Sequence, residues 1–257
     1  IHIDIEPSEI IRNYTTGIGV IADAKSALMV LNKVAKELFP NGIDRSDVRN
    51  KINTFRESFK KSNEDMATSD AFPMMPERIL SDTRKALPKD AIITTDVGWN
   101  KNGVGQQFDI LTPGSILTPG GFATMGFGPP AAIGAKIANP DRVVISLVGD
   151  GGFGQNPAML ATAVERNLGI VWIVMNNNAF GTIAGLQKAH YGVTYGTVFP
   201  GNIGDNEMTP NYADIAKAYG ANGIRISSAE ELLPALEASL KSNKPTVIDV
   251  AMINNPT

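Results

Sequence analysis

Two short apolar runs, each ended by a cluster of small polar residues, mark the middle of the chain. Residues 143–148 end at Gly-Asp-Gly (149–151), and residues 170–175 end at three asparagines (176–178). Neither run alternates with polar residues, and a helical pattern separates them, which predicts two buried strands of a parallel sheet joined by a crossover helix. Ligands bind outside the carboxyl ends of such strands, so we expect the two polar clusters to form one site.

Earlier in the chain, the pattern predicts a separate small block followed by a linker. Alternation over residues 1–6 and an apolar run over 17–21 predict two short strands, after which Asp23 is expected to cap a helix. A second helix is predicted from Asp44, and its narrow apolar stripe is typical of a linker helix on the surface of a neighbouring domain. Residues 62–73 have loop composition and mark the boundary.

The remaining chain alternates between helical and strand patterns. Pro76 is expected at the first position of a helix, because its missing N–H is not needed there. The other elements predicted are a strand at 91–95, a helix at 212–219, a strand at 223–226, a helix at 229–240 and a strand at 246–250. Together they predict an α/β protein with a doubly wound, mostly parallel sheet and helices on both faces, preceded by a fragment of a second α/β domain.

Glycines at the first strand end indicate a phosphate site, because backbone N–H groups can approach a phosphate closely there. Gly149, Gly151 and Gly154 also fit the dinucleotide pattern G-x-G-x-x-G. A dinucleotide site needs an acidic residue about 20 residues further on, and the next strand ends in asparagine instead. Asp150 would repel a pyrophosphate unless a cation lay between them. Mg²⁺ would bind Asp150, an asparagine oxygen and a loop carbonyl.

Composition narrows the classes of function. The chain has 257 residues, of which 43% are hydrophobic and 19% charged, and a net charge of −3, which gives no field that would attract nucleic acid or an anionic membrane. It has no cysteine, which excludes thiol catalysis, disulfides and cysteine-bound metal. With no signal peptide and no long apolar segment in the sequence, we expect a cytoplasmic location.

Three ordered motifs resemble those of thiamine diphosphate enzymes. Residues 152–175 place 24 residues between Gly-Asp-Gly and Asn-Asn, which resembles the GDG-(about 25)-NN signature of that family. Residues 120–128 (GGFATMGFG) and 130–135 (PAAIGA) are similar to a block of the acetolactate synthase branch, and 94–98 (TTDVG) to the strand end before its diphosphate-contacting turn. The alternative is an unrelated α/β protein with three glycine-rich turns.

The resemblance implies the thiamine diphosphate-binding fold and a division into three segments. Residues 1–43 would be the C-terminal fragment of a middle domain, 44–73 a linker helix and loop, and 74–257 the diphosphate- and magnesium-binding domain. Because the chain opens on Ile1 rather than Met, we expect it to be the later part of a longer polypeptide or a separate piece of one.

The resemblance also implies the metal ligands: Asp150, Asn177 as the second residue of the Asn-Asn pair, and the backbone carbonyl of Ala179. Asn176 and Asn178 stay as alternatives for the asparagine ligand. A large apolar side chain at Met125 is expected to hold the cofactor in a bent conformation, with backbone groups of Ala123 and Met125 at its pyrimidine ring. The other cofactor-binding residues implied are Gly98, Trp99, Asn100, Gly149, Gly151, Gly152, Phe180, Gly181 and Thr182.

Some neighbouring residues depart from the family pattern or carry less information. Trp99 and Asn100 replace the Gln-His pair of acetolactate synthases, so we expect a side-chain contact from Asn100 and packing from Trp99. Ile183 is expected in the substrate pocket. His190 is predicted to be exposed or merely packed rather than to act as an acid or base. Residues 189–211 are rich in Gly, Asn and Pro and are predicted to be a lid or substrate loop.

The implied function is that of a thiamine diphosphate- and Mg²⁺-dependent carboligase or lyase acting on 2-oxo acids, similar to acetolactate synthase. In this family the activating glutamate lies on a pyrimidine-binding domain, for which the chain has no room, so its catalytic residue is unknown and is expected outside the chain. The expected partner is a chain or segment carrying that domain, in a dimer of active-site pairs or a tetramer. FAD, which acetolactate synthases bind, would contact mainly the missing middle domain, so its binding stays open.

Three alternatives to this function are open, the third of which is a dehydrogenase that binds NAD. The first is a 2-oxo acid decarboxylase that releases an aldehyde, which the apolar Ile183 and Ala184 disfavour because they offer no carboxylate at that turn. The second is a non-catalytic subunit that keeps the cofactor as structure. Asp150 and Asn177 disfavour it, because a relic site has no physical need for metal ligands.

Overall fold

The computed structural model describes residues 1–199 and 210–254, in two units, Ile1–Phe59 and Lys60–Thr257. In the first unit, strand β1 (His2–Asp4) pairs in parallel with β2 (Gly19–Ile21), and helix α1 (Ala24–Leu38) follows. Asp23 caps α1 as predicted, accepting a hydrogen bond from the backbone N–H of Ser26 at 2.9 Å. Helix α2 (Ser46–Ser62) contains the point that divides the two units. The predicted division at residues 43 and 73 stays a prediction.

The second unit alternates helices and strands. Its elements are α3 (Glu64–Ala67), α4 (Pro76–Ala86), β3 (Ile92–Thr95), α5 (Trp99–Gln107), β4 (Ile116–Leu117), α6 (Gly128–Ala138), β5 (Val144–Gly149), α7 (Asp150–Gly154), α8 (Met159–Glu165), β6 (Ile170–Asn176), α9 (Gly181–Tyr191), α10 (Tyr212–Ala218), β7 (Asn222–Ile226), a 3₁₀ turn (Ala229–Glu231), α11 (Leu232–Ser242) and β8 (Thr246–Ala251). Pro76 is at the start of α4, as predicted.

The second unit is built on a six-stranded sheet in the order β4-β3-β5-β6-β8-β7, and each neighbouring pair is parallel. The predicted fold class is therefore confirmed. From β3 the chain goes to β4 on one side and returns to β5 on the other side of β3. The carboxyl ends of β3 and β5 thus form a topological switch point, where ligands bind in open α/β sheets.

Helices cover both faces of this sheet, and each face has its own core. Along β5, Ile145 and Leu147 belong to the core beneath α4 and α11, whereas Val144 and Val148 belong to the core beneath α6, α8 and α10. All four side chains are fully buried. This explains why the strand is apolar except for Ser146 and does not alternate, since a strand covered on both faces has no solvent side.

The N-terminus of α6 is held onto the sheet by polar groups of the strands below it. The hydroxyl of Thr94 donates to the carbonyl of Gly128 at 2.9 Å, and the indole N–H of Trp172 donates to the carbonyl of Pro129 at 3.1 Å. Both donors are completely buried and are satisfied by these bonds.

Among the helices of the described residues, none combines the length and the apolar character that a membrane span requires.

Candidate active site

A cavity of about 550 Å³, counting the part open to solvent, lies at the carboxyl ends of β3, β5, β6 and β8. Its lining residues are Val97, Gly98, Trp99, Asn100, Met125, Gly149, Asp150, Gly151, Gly152, Met175, Asn177, Ala179, Phe180, Gly181, Thr182, Ile183 and Met252. The two polar clusters of the sequence therefore meet in one place. Of the predicted site residues, all of which are described, Ala123 alone is absent from this lining.

Asp150 follows β5 directly and is the charged group of the cavity lining. Its Oδ1 accepts from the backbone N–H of Gly151 at 2.8 Å and its Oδ2 from that of Ala179 at 3.2 Å. The residue is only 5% exposed. Desolvation raises the pKa of Asp150 to about 6, although the amide donors of Gly151 and Ala179 act in the opposite direction. A bound cation would favour the charged form of this carboxyl.

The three asparagines after β6 have different surroundings. Asn176 is buried, and its side chain donates to Asp249 at 3.1 Å and accepts from the backbone N–H of Asn178 at 3.3 Å. Asn178 is buried in a left-handed conformation (φ 52°) and donates to the carbonyl of Phe199. Asn177 is half-buried and lines the cavity, with its Nδ2 3.5 Å from Oδ1 of Asn254. This difference favours Asn177 over its neighbours as a ligand.

The turn at Ala179 is fixed from two sides. Its N–H donates to Asp150, and an antiparallel bridge joins Ala179 to Val198. Within the described part of the chain, no backbone N–H donates to the carbonyl of Ala179. The carbonyls of its neighbours Asn178 and Phe180 each accept a hydrogen bond from a backbone N–H. The carbonyl implied as the third metal ligand therefore has no backbone partner among the described residues.

Gly151 keeps open a space between two large side chains. A Cβ on Gly151 would lie 2.6 Å from the ring of Phe180 and 2.8 Å from Cε of Met125. The Phe180 ring is itself held by an edge-to-face contact with Phe199, with ring centroids 5.0 Å apart. Met125 and Phe180 thus flank a recess that any side chain at position 151 would fill.

Asp96, at the end of β3, organises the cavity although no role was predicted for it. It is completely buried, and its carboxylate accepts from the backbone N–H groups of Val97, Gly126 and Gly128 at 2.8 to 3.1 Å. These bonds fix the segment that carries Met125 to the end of the strand. The signal in the sequence was a carboxylate placed directly after the predicted strand at 91–95, which is buried along its whole length.

The turn before α5 departs in part from expectation. Gly98 adopts φ +106° at the N-cap of α5. The amide of Asn100 accepts from the N–H of Asp96 and donates to the carbonyl of Val97. Both amide atoms of Asn100 therefore bind backbone inside this turn, and its contact to a diphosphate stays a prediction. Trp99 is half-buried and packs against the core beneath α4, in the way expected from the sequence.

Two helices, of 9 and 11 residues, begin at the cavity. Helix α5 starts at Trp99 and α9 at Gly181. The two first turns are adjacent, because a Cβ on Gly98 would lie 3.3 Å from the hydroxyl of Thr182. Helix N-termini carry partial positive charge and unpaired N–H groups, so two of them together favour an anionic ligand.

A pair of glycines in α5 tests how firmly Trp99 is held. A Cβ on Gly103 would collide with the ring of Trp99, whereas Gly105 has nothing within 4 Å. We expect Gly103→Ala to shift the emission of Trp99 and to destabilise the protein by about 1 kcal/mol. Gly105→Ala should leave the emission unchanged and stabilise by about 0.5–1 kcal/mol. The emission spectrum and urea unfolding measure both effects, and equal behaviour of the two variants would contradict the packing described for Trp99.

The remaining predicted residues have mixed outcomes. Ile183 lines the cavity and is 46% exposed, whereas Ala123 lies outside it with φ +49°. His190 is exposed on α9. Residues 189–191 of the predicted loop belong to α9, residues 192–199 are described, and residues 200–209 lie outside the described part of the chain. The lid function of this loop stays a prediction.

Comparison with known proteins agrees with this geometry. Residues 96–250 match the family model for the thiamine pyrophosphate enzyme, C-terminal TPP binding domain. The chain belongs to the thiamine pyrophosphate enzymes. The resemblance inferred from the three motifs is therefore confirmed. The matched residues include the carboxyl end of β5 and the three asparagines at 176–178.

Among these enzymes the chain is similar to acetolactate synthases. It is 35% identical over 265 residues to a probable acetolactate synthase large subunit of Methanococcus aeolicus, covering 98% of this chain and 42% of that protein. It is 33% identical over 256 residues to a chloroplastic acetolactate synthase of Arabidopsis thaliana, covering 97% of this chain and 37% of that protein. The chain therefore spans less than half the length of these relatives.

A solved structure shares the fold. The thiamine diphosphate-dependent 4-hydroxybenzoylformate decarboxylase of Rhodococcus jostii RHA1 superposes with a TM-score of 0.66 and 29% sequence identity, covering 74% of this chain and 34% of that one. This superposition agrees with the fold class predicted from the sequence.

Proposed function

We propose that this chain is the diphosphate- and metal-binding part of a thiamine diphosphate- and Mg²⁺-dependent carboligase or lyase that acts on 2-oxo acids, similar to acetolactate synthase. The observation that carries the proposal is the meeting of Asp150, Asn177 and Ala179 in one cavity, with the carboxylate of Asp150 hydrogen-bonded to the N–H of Ala179 at 3.2 Å. Acetolactate synthases that match 97–98% of the chain support the choice of reaction.

The donor atoms available in the cavity suit Mg²⁺. Asp150 supplies a carboxylate oxygen, Asn177 an amide oxygen and Ala179 a backbone carbonyl, which are the hard oxygen ligands that Mg²⁺ prefers. The remaining coordination positions would be filled by water and by phosphate oxygens. Clusters of three or more His, Cys, Asp or Glu side chains do not occur among the described residues, and the proposed ligand set is of a different kind, with one carboxylate, one amide and one backbone carbonyl.

The rest of the cavity suits the cofactor. The first turns of α5 and α9 would bind the diphosphate through their N–H groups, and Gly149, Gly151 and Gly152 allow it close approach. Met125 and Phe180 flank the recess at Gly151 and would exclude water from the cofactor rings. When bound, thiamine diphosphate supplies a carbon nucleophile that adds to the carbonyl of a 2-oxo acid. Ile183, at the first turn of α9, would contact the substrate.

The activating glutamate and the walls of the substrate pocket would come from a pyrimidine-binding domain, on another chain or another segment of the same polypeptide. The 37–42% share of the acetolactate synthases that this chain spans supports this division. A dimer of active-site pairs or a tetramer and a cytoplasmic location belong to the same proposal, whereas FAD binding, which would involve mainly a middle domain, stays open.

Simple decarboxylation to an aldehyde is the second candidate. The structural neighbour that supports it is a decarboxylase with a TM-score of 0.66. The apolar Ile183 at the first turn of α9 favours carboligation instead, because it offers no carboxyl group that could act as a general acid in aldehyde release. A non-catalytic subunit is disfavoured because Asp150 is a buried carboxylate that is costly without a cation.

Two measurements test the proposal. Calorimetry on the chain with thiamine diphosphate should give weak binding that requires Mg²⁺, whereas NAD should give none; binding of NAD alone would favour the dinucleotide site instead.

An assay with a 2-oxo acid should show no turnover by the chain alone and carbon–carbon bond formation once a partner with the pyrimidine-binding domain is added. An aldehyde as the only product would support the decarboxylase, and full activity of the chain alone would refute the division between domains.

A further inference from the structure

Two buried residues outside the cavity connect the segments that carry the proposed metal ligands. The phenol of Tyr212, the first residue of α10, donates to the backbone carbonyl of Asp150 at 3.1 Å. The backbone N–H of the same tyrosine donates to Oδ2 of Asp249 at 3.1 Å. Oδ1 of Asp249 accepts from the amide of Asn176 at 3.1 Å. Neither Tyr212 nor Asp249 lines the cavity.

These bonds continue until they return to Asp150. Oδ1 of Asn176 accepts from the N–H of Asn178 at 3.3 Å, and the N–H of the next residue, Ala179, donates to Oδ2 of Asp150 at 3.2 Å. We call this closed set of residues the hydrogen-bonded ring: Asp150, Tyr212, Asp249, Asn176, Asn178 and Ala179. Asn177 lies in sequence between two members of the ring, so its backbone position is fixed relative to Asp150.

The carboxylate of Asp249 determines the direction of the bonds in the ring. A carboxylate only accepts hydrogen bonds, so the NH₂ group of Asn176 must face Asp249 and its carbonyl oxygen must face the N–H of Asn178. Asp249 is 1% exposed, in a strand whose other members are apolar or Thr, and Tyr212 is 6% exposed. A buried carboxylate is destabilising by itself compared with an apolar residue. Its presence in β8 therefore indicates a role other than stability.

We propose that Tyr212 and Asp249 are positioning residues that set the separation of Asp150 and Asn177 to the small coordination sphere of Mg²⁺. The inference rests on the proposed function, because it assumes that these two residues bind the metal. Mg²⁺ requires near-octahedral geometry with oxygen ligands at about 2.0–2.1 Å, whereas Ca²⁺ tolerates irregular geometry at about 2.3–2.6 Å. Loosening the ring should therefore weaken Mg²⁺ binding more than Ca²⁺ binding.

Two substitutions each break one bond of the hydrogen-bonded ring while keeping the size of the side chain. Tyr212→Phe removes only the hydroxyl and keeps the aromatic group, which packs edge-to-face on Phe153 with centroids 5.5 Å apart. Asp249→Asn keeps the shape but places an NH₂ group against one of its two donors. The matched controls are Tyr219→Phe, at the exposed end of α10, and Asp109→Asn, which removes an exposed ion pair with Lys60.

The experiment compares Mg²⁺ and Ca²⁺ on the full chain. Calorimetry with thiamine diphosphate present should show that each ring variant loses about 10–100-fold in Mg²⁺ affinity, the range typical of residues that orient metal ligands. The affinity for Ca²⁺ should fall by a clearly smaller factor, and both controls should behave as the parent. Because the two residues belong to one ring, the double variant should lose less than the product of the two single losses.

The ratio of Mg²⁺ to Ca²⁺ affinity separates positioning from a merely structural role. Equal losses of both metals would show that the variants damage the fold in general and would overturn the inference, as would unchanged affinities. Should Asp249→Asn fail to fold, Tyr212→Phe decides the question by the same ratio. Failure of the unsubstituted chain to bind Mg²⁺ with thiamine diphosphate would refute the proposed function itself. That measurement is made on the parent chain before any variant, so the two failures can be distinguished.

Discussion

Asp150→Asn is expected to weaken Mg²⁺-dependent binding of thiamine diphosphate by at least about 100-fold, which corresponds to roughly 2.7 kcal/mol. The substitution keeps the size of the side chain but removes a negative charge, the only one among the described residues that line the cavity. It also places an NH₂ group against the N–H of Gly151 or Ala179, which now donate to the carboxylate. The loss should exceed that of residues that only orient ligands, because Asp150 would itself coordinate the metal. Calorimetry with and without Mg²⁺ measures it.

The stability of the metal-free protein provides the control for this variant. Burial raises the pKa of Asp150 to about 6 from its ordinary 3.8, so the charged form costs folding free energy above pH 6, and this cost disappears below pH 3.8. Removing the charge should therefore not lower the unfolding temperature at neutral pH by more than a few degrees. Asp109→Asn, which alters an exposed carboxylate, should leave cofactor binding unchanged. Binding by Asp150→Asn at the parental level would contradict the proposed metal site.

Gly128→Ala is expected to destabilise the protein by about 3 kcal/mol, at the upper end of what overpacking usually costs. A Cβ at this position would lie 2.8 Å from the carbonyl oxygen of Thr95 and 3.1 Å from the backbone N of Asp96. These are backbone atoms of the sheet and cannot rotate away. Displacing α6 would also stretch the bond from the N–H of Gly128 to Asp96, now 2.8 Å. Thermal unfolding should show a decrease of roughly 6–12 °C.

Gly134→Ala is the matched control in the same helix. Gly134 is exposed, and nothing lies within 4 Å of its Cβ position. Alanine there should stabilise by about 0.5–1 kcal/mol, because it lowers the backbone entropy that glycine loses in a helix. A variant Gly128→Ala that is as stable as Gly134→Ala would show that α6 can move away from β3, contrary to the close approach in the structure.

The sequence by itself determined the architecture of the second unit and the location of its site. Parallel strands covered on both faces are mostly apolar along their whole length, so residues 143–148 and 170–175 could be recognised as β5 and β6 without any contact information. Their polar ends were then placed at one edge by the rules of parallel sheets. The motifs indicated the family, which the match over residues 96–250 confirms.

Tertiary structure alone decided which polar groups are free to bind a ligand and which are used inside the fold. Three consecutive asparagines are equivalent in the sequence, yet Asn176 binds Asp249 and Asn178 binds Phe199, which leaves Asn177 at the cavity. In the same way, the amide of Asn100 is used by the backbone of its own turn.

The supporting residues could not be found from local pattern either. Tyr212 is 62 residues from its acceptor on Asp150, and Asp249 is 73 residues from Asn176. Hydrophobic periodicity reports only whether a side chain is buried, because the free energy of burial depends on apolar area and not on the identity of the neighbour. A hydrogen bond depends on the direction and distance between two particular atoms, and these are set only when the strands and helices have packed.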